Sequence, residues 1–264
     1  MPAPATGQTV FLLGSAASFM ASLGTALGAL PVLVLPPASR RVQDVLQSMA
    51  AGIMLAATAL SLVVPGLAAA TARTGSPLAG AAVLTAGVLL GSWAIWWTDQ
   101  HTPHEHFLRG HEGPASRRLQ QGWLFTFALT LHNVPEGMAV GVGYGGGDVA
   151  NGHALALAIF LQNVPEGFLV ALALAAAGFR RRRAVLVSCA TGVVESVGGV
   201  VGAAAVAVSA AILPWAMGFA AGAMLYVISH EIIPETHHNG HEDAATFGLL
   251  VGFALMVLMN AAFQ

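Results

Sequence analysis

Two seven-residue stretches hold most of the reactive chemistry of this 264-residue chain. Leu131-His132-Asn133-Val134-Pro135-Glu136-Gly137 and Leu161-Gln162-Asn163-Val164-Pro165-Glu166-Gly167 are identical except where Gln162 stands in place of His132, and both lie inside long apolar runs. On a helix, positions i, i+1 and i+4 fall at about 0°, 100° and 40° around the axis, so His132, Asn133 and Glu136 share one side, as do Gln162, Asn163 and Glu166. Pro135 and Pro165 cannot donate to the carbonyls of Leu131 and Leu161, which predicts a local opening of each helix. Glu195, a third glutamate in an apolar run, can approach the same region. Together these residues offer one imidazole, three carboxamides and three carboxylates.

Taken singly, an Asn, Gln or His in a membrane helix is ordinarily a hydrogen-bonding residue between helices, and a single buried Glu can relay protons. The duplicated triad with a third glutamate goes further, because ionised groups at membrane depth are costly and mark ion or substrate sites. Three carboxylates in low dielectric repel one another unless cations lie between them. Two divalent ions bring +4 against −3, and seven donors are more than one ion can use, so a binuclear centre is the expectation. Nitrogen and oxygen donors without thiolate suit Zn²⁺, Cd²⁺, Fe²⁺ or Mn²⁺. The lone Cys189 leaves no intrachain disulfide and no cysteine-based metal site.

The elements that position these side chains follow from composition. Hydrophobic residues make up 56% and charged residues 8% of the chain, about a third of what a soluble domain carries. Hydrocarbon must therefore solvate most of the surface, and a backbone in lipid satisfies itself only in helices or closed barrels. Long Ala/Leu/Val/Gly runs without alternation select helices. Eight spans are predicted, near Thr9–Leu35, Val42–Val64, Leu78–Thr98, Gly122–Tyr144, Gly152–Gly178, Ala184–Ala210, Leu213–Glu235 and Ala244–Ala262, with Pro65-Gly66 read as the end of the second. The first residues lack the positive segment of a cleaved leader, so the first apolar stretch reads as a retained span.

All ten basic residues are arginines. Nine lie in odd-numbered loops: Arg40, Arg41, Arg109, Arg117, Arg118 and Arg180 to Arg183; only Arg73 lies in an even one. Retention of positive residues in the cytoplasm places the odd loops inside and both termini outside. The Arg180–Arg183 cluster is explained by insertion, so no nucleic-acid partner is expected; the partners are metal ions and membrane lipid.

With the motifs laid out, the chain resembles the ZIP (Zrt-, Irt-like) family of divalent-metal transporters, in its GufA-like branch. The resemblance is carried by His132 to Gly137, Gln162 to Gly167, Thr191-Gly192-Val193-Val194-Glu195-Ser196 and Ser229-His230-Glu231-Ile232-Ile233-Pro234-Glu235. It implies a single transporter domain over residues 1–264 in an inner membrane, an all-α bundle of eight transmembrane helices in a 3+2+3 inverted-repeat arrangement, and import of zinc into the cytoplasm. Carried over by position, it makes His132, Glu136, Gln162 and Glu166 ligands of one ion. Asn133, Glu136, Asn163 and Glu166 would serve a second, with Glu195 bridging or adjoining the pair. Many members have His where this chain has Gln162, which broadens the ions expected. Some have Asp where this chain has Asn163, which weakens the second position. Asp99, His230 and Glu231, toward the inner ends of spans three and seven, would line the release path.

Seven of the ten histidines fall in two inner loops, His101, His104, His106 and His111 in one and His237, His238 and His241 in the other. Metal capture and plain solvated linker are both open readings of them. Gly/Ala-rich faces on spans one, two and seven suit tight packing, sliding or a homodimer. Two rivals remain. An intramembrane metalloenzyme would need a motif such as His-Glu-x-x-His, which is missing, so no enzyme and no catalytic cofactor are expected. A proton-coupled solute carrier would use the glutamates as relays.

Overall fold

The computed structural model describes residues 6–101 and 116–263. His104, His106, His111 and Arg109 lie outside the described residues. Within them every regular element is helical. Eight rods follow one another: α1 (Gly7–Ala29), extended by a 3₁₀ turn at Leu30–Leu33; α2 (Arg40–Ala57), which passes through a π-turn at Thr58–Val63 into α3 (Val64–Thr74); α4 (Pro77–His101); α5 (Ser116–Gly143); α6 (Val149–Ala176); α7 (Arg181–Val208); α8 (Leu213–Val227), which passes through a π-turn at Ile228–Ile232 into α9 (Ile233–Thr236); and α10 (Glu242–Phe263). Seven rods are long and apolar enough to cross a membrane. The eighth, α5, spans 28 residues and has its hydropathy diluted by His132, Asn133 and Glu136.

Two expectations are corrected. Pro65-Gly66 does not end the second rod: the π-turn accommodates Pro65, which sits in the first turn of α3, and the helix ends at Gly75 in a left-handed cap at φ 68°. Pro135 and Pro165 do not open α5 and α6, both of which run through their prolines as continuous helix. A proline removes one hydrogen bond, and neighbouring rods hold the rest of the turn in register. The helical ladder opens instead at the two π-turns, each followed within a few residues by Pro65 or Pro234.

The rods sort into two groups. α1 packs on α6 and α7, and α7 on α5; α2 packs on α10, and α4 on α3 and α8. Contact between the groups is thinner, chiefly α2 on α6 and α5 on α8. Glycines show why each group is tight. A Cβ on Gly28 would meet Val164 O, and one on Gly167 would meet Thr25 O; the same reciprocity joins Gly137 to Glu195 O and Gly198 to Val134 O. In the second group Gly52 faces Leu249 O and Gly252 faces Met49 O, while Gly91 faces Phe219 O and Gly222 faces Val88 O. Among the described glycines these backbone-on-backbone approaches stay inside one group, as small residues allow helices in lipid to close up. Gly28→Val is therefore expected to destabilise the first group by about 1–3 kcal/mol or more, as overpacking against an unyielding carbonyl does. A fall in the thermal midpoint of the detergent-solubilised protein checks it.

Candidate metal centre

The centre forms where α5, α6 and α7 meet. Glu136, Gln162, Asn163 and Glu195 are each at most 1% exposed, so their polar atoms must find partners inside the protein. Gln162 Nε2 donates to Glu136 Oε1 at 2.6 Å, and Asn163 Nδ2 donates to Glu195 Oε2 at 2.7 Å and to Ala21 O at 3.1 Å. Asn133 Nδ2 donates to Thr191 O on α7 at 3.0 Å. Each of the two carboxylates is thus met on one oxygen by a carboxamide N–H.

Glu136, Gln162, Asn163 and Glu195 are each bare on their other side. Among the described residues, the buried side-chain atoms without a hydrogen-bond partner include His132 Nδ1, Glu136 Oε2, Gln162 Oε1, Asn163 Oδ1 and Glu195 Oε1. Five orphans from the repeated motif and its third glutamate concentrate the desolvation cost in one place. Four are oxygens, and the fifth is a ring nitrogen that is a lone-pair acceptor when the opposite nitrogen carries the proton. This is a donor set for a hard or borderline cation.

His132 is oriented from the second group. Its Nε2 pairs with Glu231 Oε2 of the second π-turn. A carboxylate holding one imidazole nitrogen fixes the tautomer and turns the other nitrogen to a metal. His132, Glu136 and Glu166 line a cavity of about 20 Å³ together with Gln47, Leu169, Val227 and Ile232, room for one small occupant. Asp99 Oδ2 lies 3.8 Å from His230 Nε2, completing a polar trail along α4 and α8. Side-chain exposure is 12% at His132, 16% at Glu231 and 14% at Asp99, and the trail opens to solvent at His230, 49% exposed. The centre is therefore wettest toward the arginine-bearing end of the bundle.

Among the described residues no three His, Cys, Asp or Glu side chains converge at metal-holding spacing, because amides rather than carboxylates stand between the acids. Gln47 is a cavity residue that the sequence reading omits; its signal was its place among Asp44 and Ser48 on the polar side of α2. Two histidines of the last inner loop, His237 and His241, are engaged in structure. His241 Nδ1 meets Asp44 Oδ2 at 2.9 Å, Asn239 Nδ2 meets Asp44 Oδ1 at 3.0 Å, and His237 Nε2 meets Thr246 Oγ1 at 3.0 Å. His101 closes α4 by meeting Trp97 O at 2.8 Å.

Comparison with known proteins places relatives beside this geometry. The family described as ZIP Zinc transporter matches residues 98–260. The zinc transporter ZIPB of Bordetella bronchiseptica is 50% identical over 251 residues, 95% of this chain and 80% of that protein. The zinc transporter GufA of Myxococcus xanthus is 43% identical over 94% of this chain and 97% of its own length. The human zinc transporter ZIP11 is 32% identical over 94% of this chain and 98% of its own.

Proposed function

Since the chain belongs to the ZIP family of zinc transporters, we propose that it carries Zn²⁺ across an inner membrane into the cytoplasm, as a single transporter domain over residues 1–264. The observation that carries this reading is the set of five orphaned buried acceptors on His132, Glu136, Gln162, Asn163 and Glu195. His132, Glu136, Gln162 and Glu166 hold one ion; Asn133, Asn163 and Glu195 complete a second place shared with Glu136 and Glu166. The mixed carboxylate, carboxamide and single-imidazole set also admits Cd²⁺, Fe²⁺ and Mn²⁺.

The arginine-bearing end faces the cytoplasm and both termini face outward, by the positive-inside rule. The 3+2+3 inverted repeat pairs the first three rods with the last three around α5 and α6. All seven donor residues ride on α5, α6 and α7, in the first helix group, whereas Glu231, Asp99 and Gln47 belong to the second. Sliding of one glycine-tightened group past the other would expose the centre to one side at a time without dismantling it, which is alternating access. Glu231 holds His132 toward the ion, and release runs past Asp99 to His230, whose wetter surroundings bind more weakly.

Proteoliposomes containing the protein are expected to accumulate radioactive zinc with saturation, and crystals soaked in Cd²⁺ to show two anomalous peaks roughly 4 Å apart at α5, α6 and α7. A single peak would remove the second ion while leaving transport intact. Zinc flux equal to that of empty vesicles would overturn the proposal.

A further inference from the structure

At the end of the bundle opposite Arg40, Arg41 and Arg180 to Arg183, the two helix groups are joined by a hydrogen bond that packing does not require. Asn151, in the first turn of α6, donates from Nδ2 to Ser61 O in the π-turn that follows α2, at 3.0 Å. Its partner is available for a local reason. The residue four positions beyond Ser61 is Pro65, which has no N–H to return to that carbonyl in an α-helical ladder. Asn151 is held in place for the contact: its backbone N–H donates to Asp148 Oδ1 at 3.0 Å, and the same Nδ2 reaches Gly143 O at 3.5 Å. The bond runs between groups whose close glycine–backbone approaches, among the described residues, are internal, so it breaks if one group slides past the other.

The contact borders a cavity of about 390 Å³, lined by Leu60, Val64, Pro65 and Asn260 from the second group and by Asp148 and Asn151 from the first. Asn151 lies eleven residues before Gln162 on one unbroken helix, about 16 Å from the metal centre. The cavity's wall on α6 runs from Asp148 past Asn151 to Ala154, and the Asn151–Ser61 bond ties the two groups together beside it, while the polar trail leaves the centre in the opposite direction.

The geometry points to Asn151 as the outer lock of the transporter. Its amide, borrowed by the carbonyl that Pro65 leaves without an α-helical donor, holds the two groups together between this end and the metal centre, and entry of an ion requires this bond to part. The inference rests on the transport reading above for its purpose, though not for its test.

The test uses the full chain with Cys189→Ser and Ala158→Cys, a fully buried position between Asn151 and Gln162 on α6, labelled in intact cells by a membrane-impermeant thiol reagent. Asn151→Ala removes the donor and is expected to speed labelling about two- to tenfold, the equilibrium worth of one net hydrogen bond. Asn151→Asp sets a carboxylate against the Ser61 carbonyl and is expected to exceed the alanine variant. An acid in the first turn favours a helix, so its thermal midpoint should match or exceed that of the parent, which separates unlocking from unfolding. Asn151→Gln keeps the donor and should stay near the parent. Labelling within twofold of the parent in both the Ala and Asp variants overturns the lock, as does an equal rise in all three. Zinc uptake by the parent is measured alongside; its absence would sink the transport reading while the labelling series still decides the lock.

Discussion

Glu136→Gln should reduce zinc flux in proteoliposomes by about 100-fold or more while leaving the protein folded, because losing a group that merely orients a metal ligand already costs 10- to 100-fold. The substitution is nearly isosteric. Its carboxamide oxygen still accepts from Gln162 Nε2, the bond that now spans 2.6 Å between α6 and α5, so the helix contact survives. What disappears is the charge shared between the two proposed ions, together with the second oxygen that no protein group meets. Glu136→Ala removes both and adds a hole against α6, so only the glutamine variant separates ligand loss from packing loss. A near-wild-type flux with Glu136→Gln would mean that the carboxylate is structural and that the ion passes elsewhere. His132→Ala is expected to follow it in direction, with a smaller loss, since Glu136 and Glu166 would remain on the cavity wall.

The residues of the candidate centre stand out in the sequence because their types are out of place. An Ala/Leu-rich chain repeats Ala and Leu by chance, whereas Asn, Pro and Glu twice in one order at membrane depth require a reason. The pairings were not legible. Helical periodicity puts His132, Asn133 and Glu136 on one side of α5, yet His132 turns to Glu231 on the second helix group, Asn133 to the Thr191 carbonyl on α7, and Glu136 to Gln162 on α6. Which neighbour a polar side chain meets depends on how rods pack, and a rod's own sequence is silent on that. The prolines misled in both directions for a related reason. In water Pro65-Gly66 is a stop signal and Pro135 a break; within a membrane bundle the same residues sit in helices whose lost bonds are absorbed by π-turns and neighbours. Eight rods could be counted from hydropathy and arginines, while the division into two groups became visible only through the reciprocal glycine approaches.

Asn163→Asp is the sharper probe of the second ion. Asn163 Nδ2 now lies between two acceptors, Ala21 O at 3.1 Å and Glu195 Oε2 at 2.7 Å, and that environment settles which end of the amide is nitrogen. An aspartate would bring an oxygen to the place of this donor and a charge beside a buried carboxylate. Without zinc, the variant should lose about 1–3 kcal/mol, the cost of stranding buried acceptors, read as a drop of several degrees in the thermal midpoint. With zinc the sign reverses. Two carboxylates facing across the second place bind a divalent ion far better than a carboxylate and an amide, and each tenfold gain in affinity returns about 1.4 kcal/mol of stability at saturating metal. The variant should therefore respond to zinc more strongly than the parent and approach two ions per chain in a binding titration. Asn163→Ala, which strands the same acceptors without adding charge, should be destabilised and gain no zinc response. If Asn163→Asp matches the parent in metal-free stability, and zinc stabilises both equally, then Glu195 does not need the Asn163 amide and no second ion is held there.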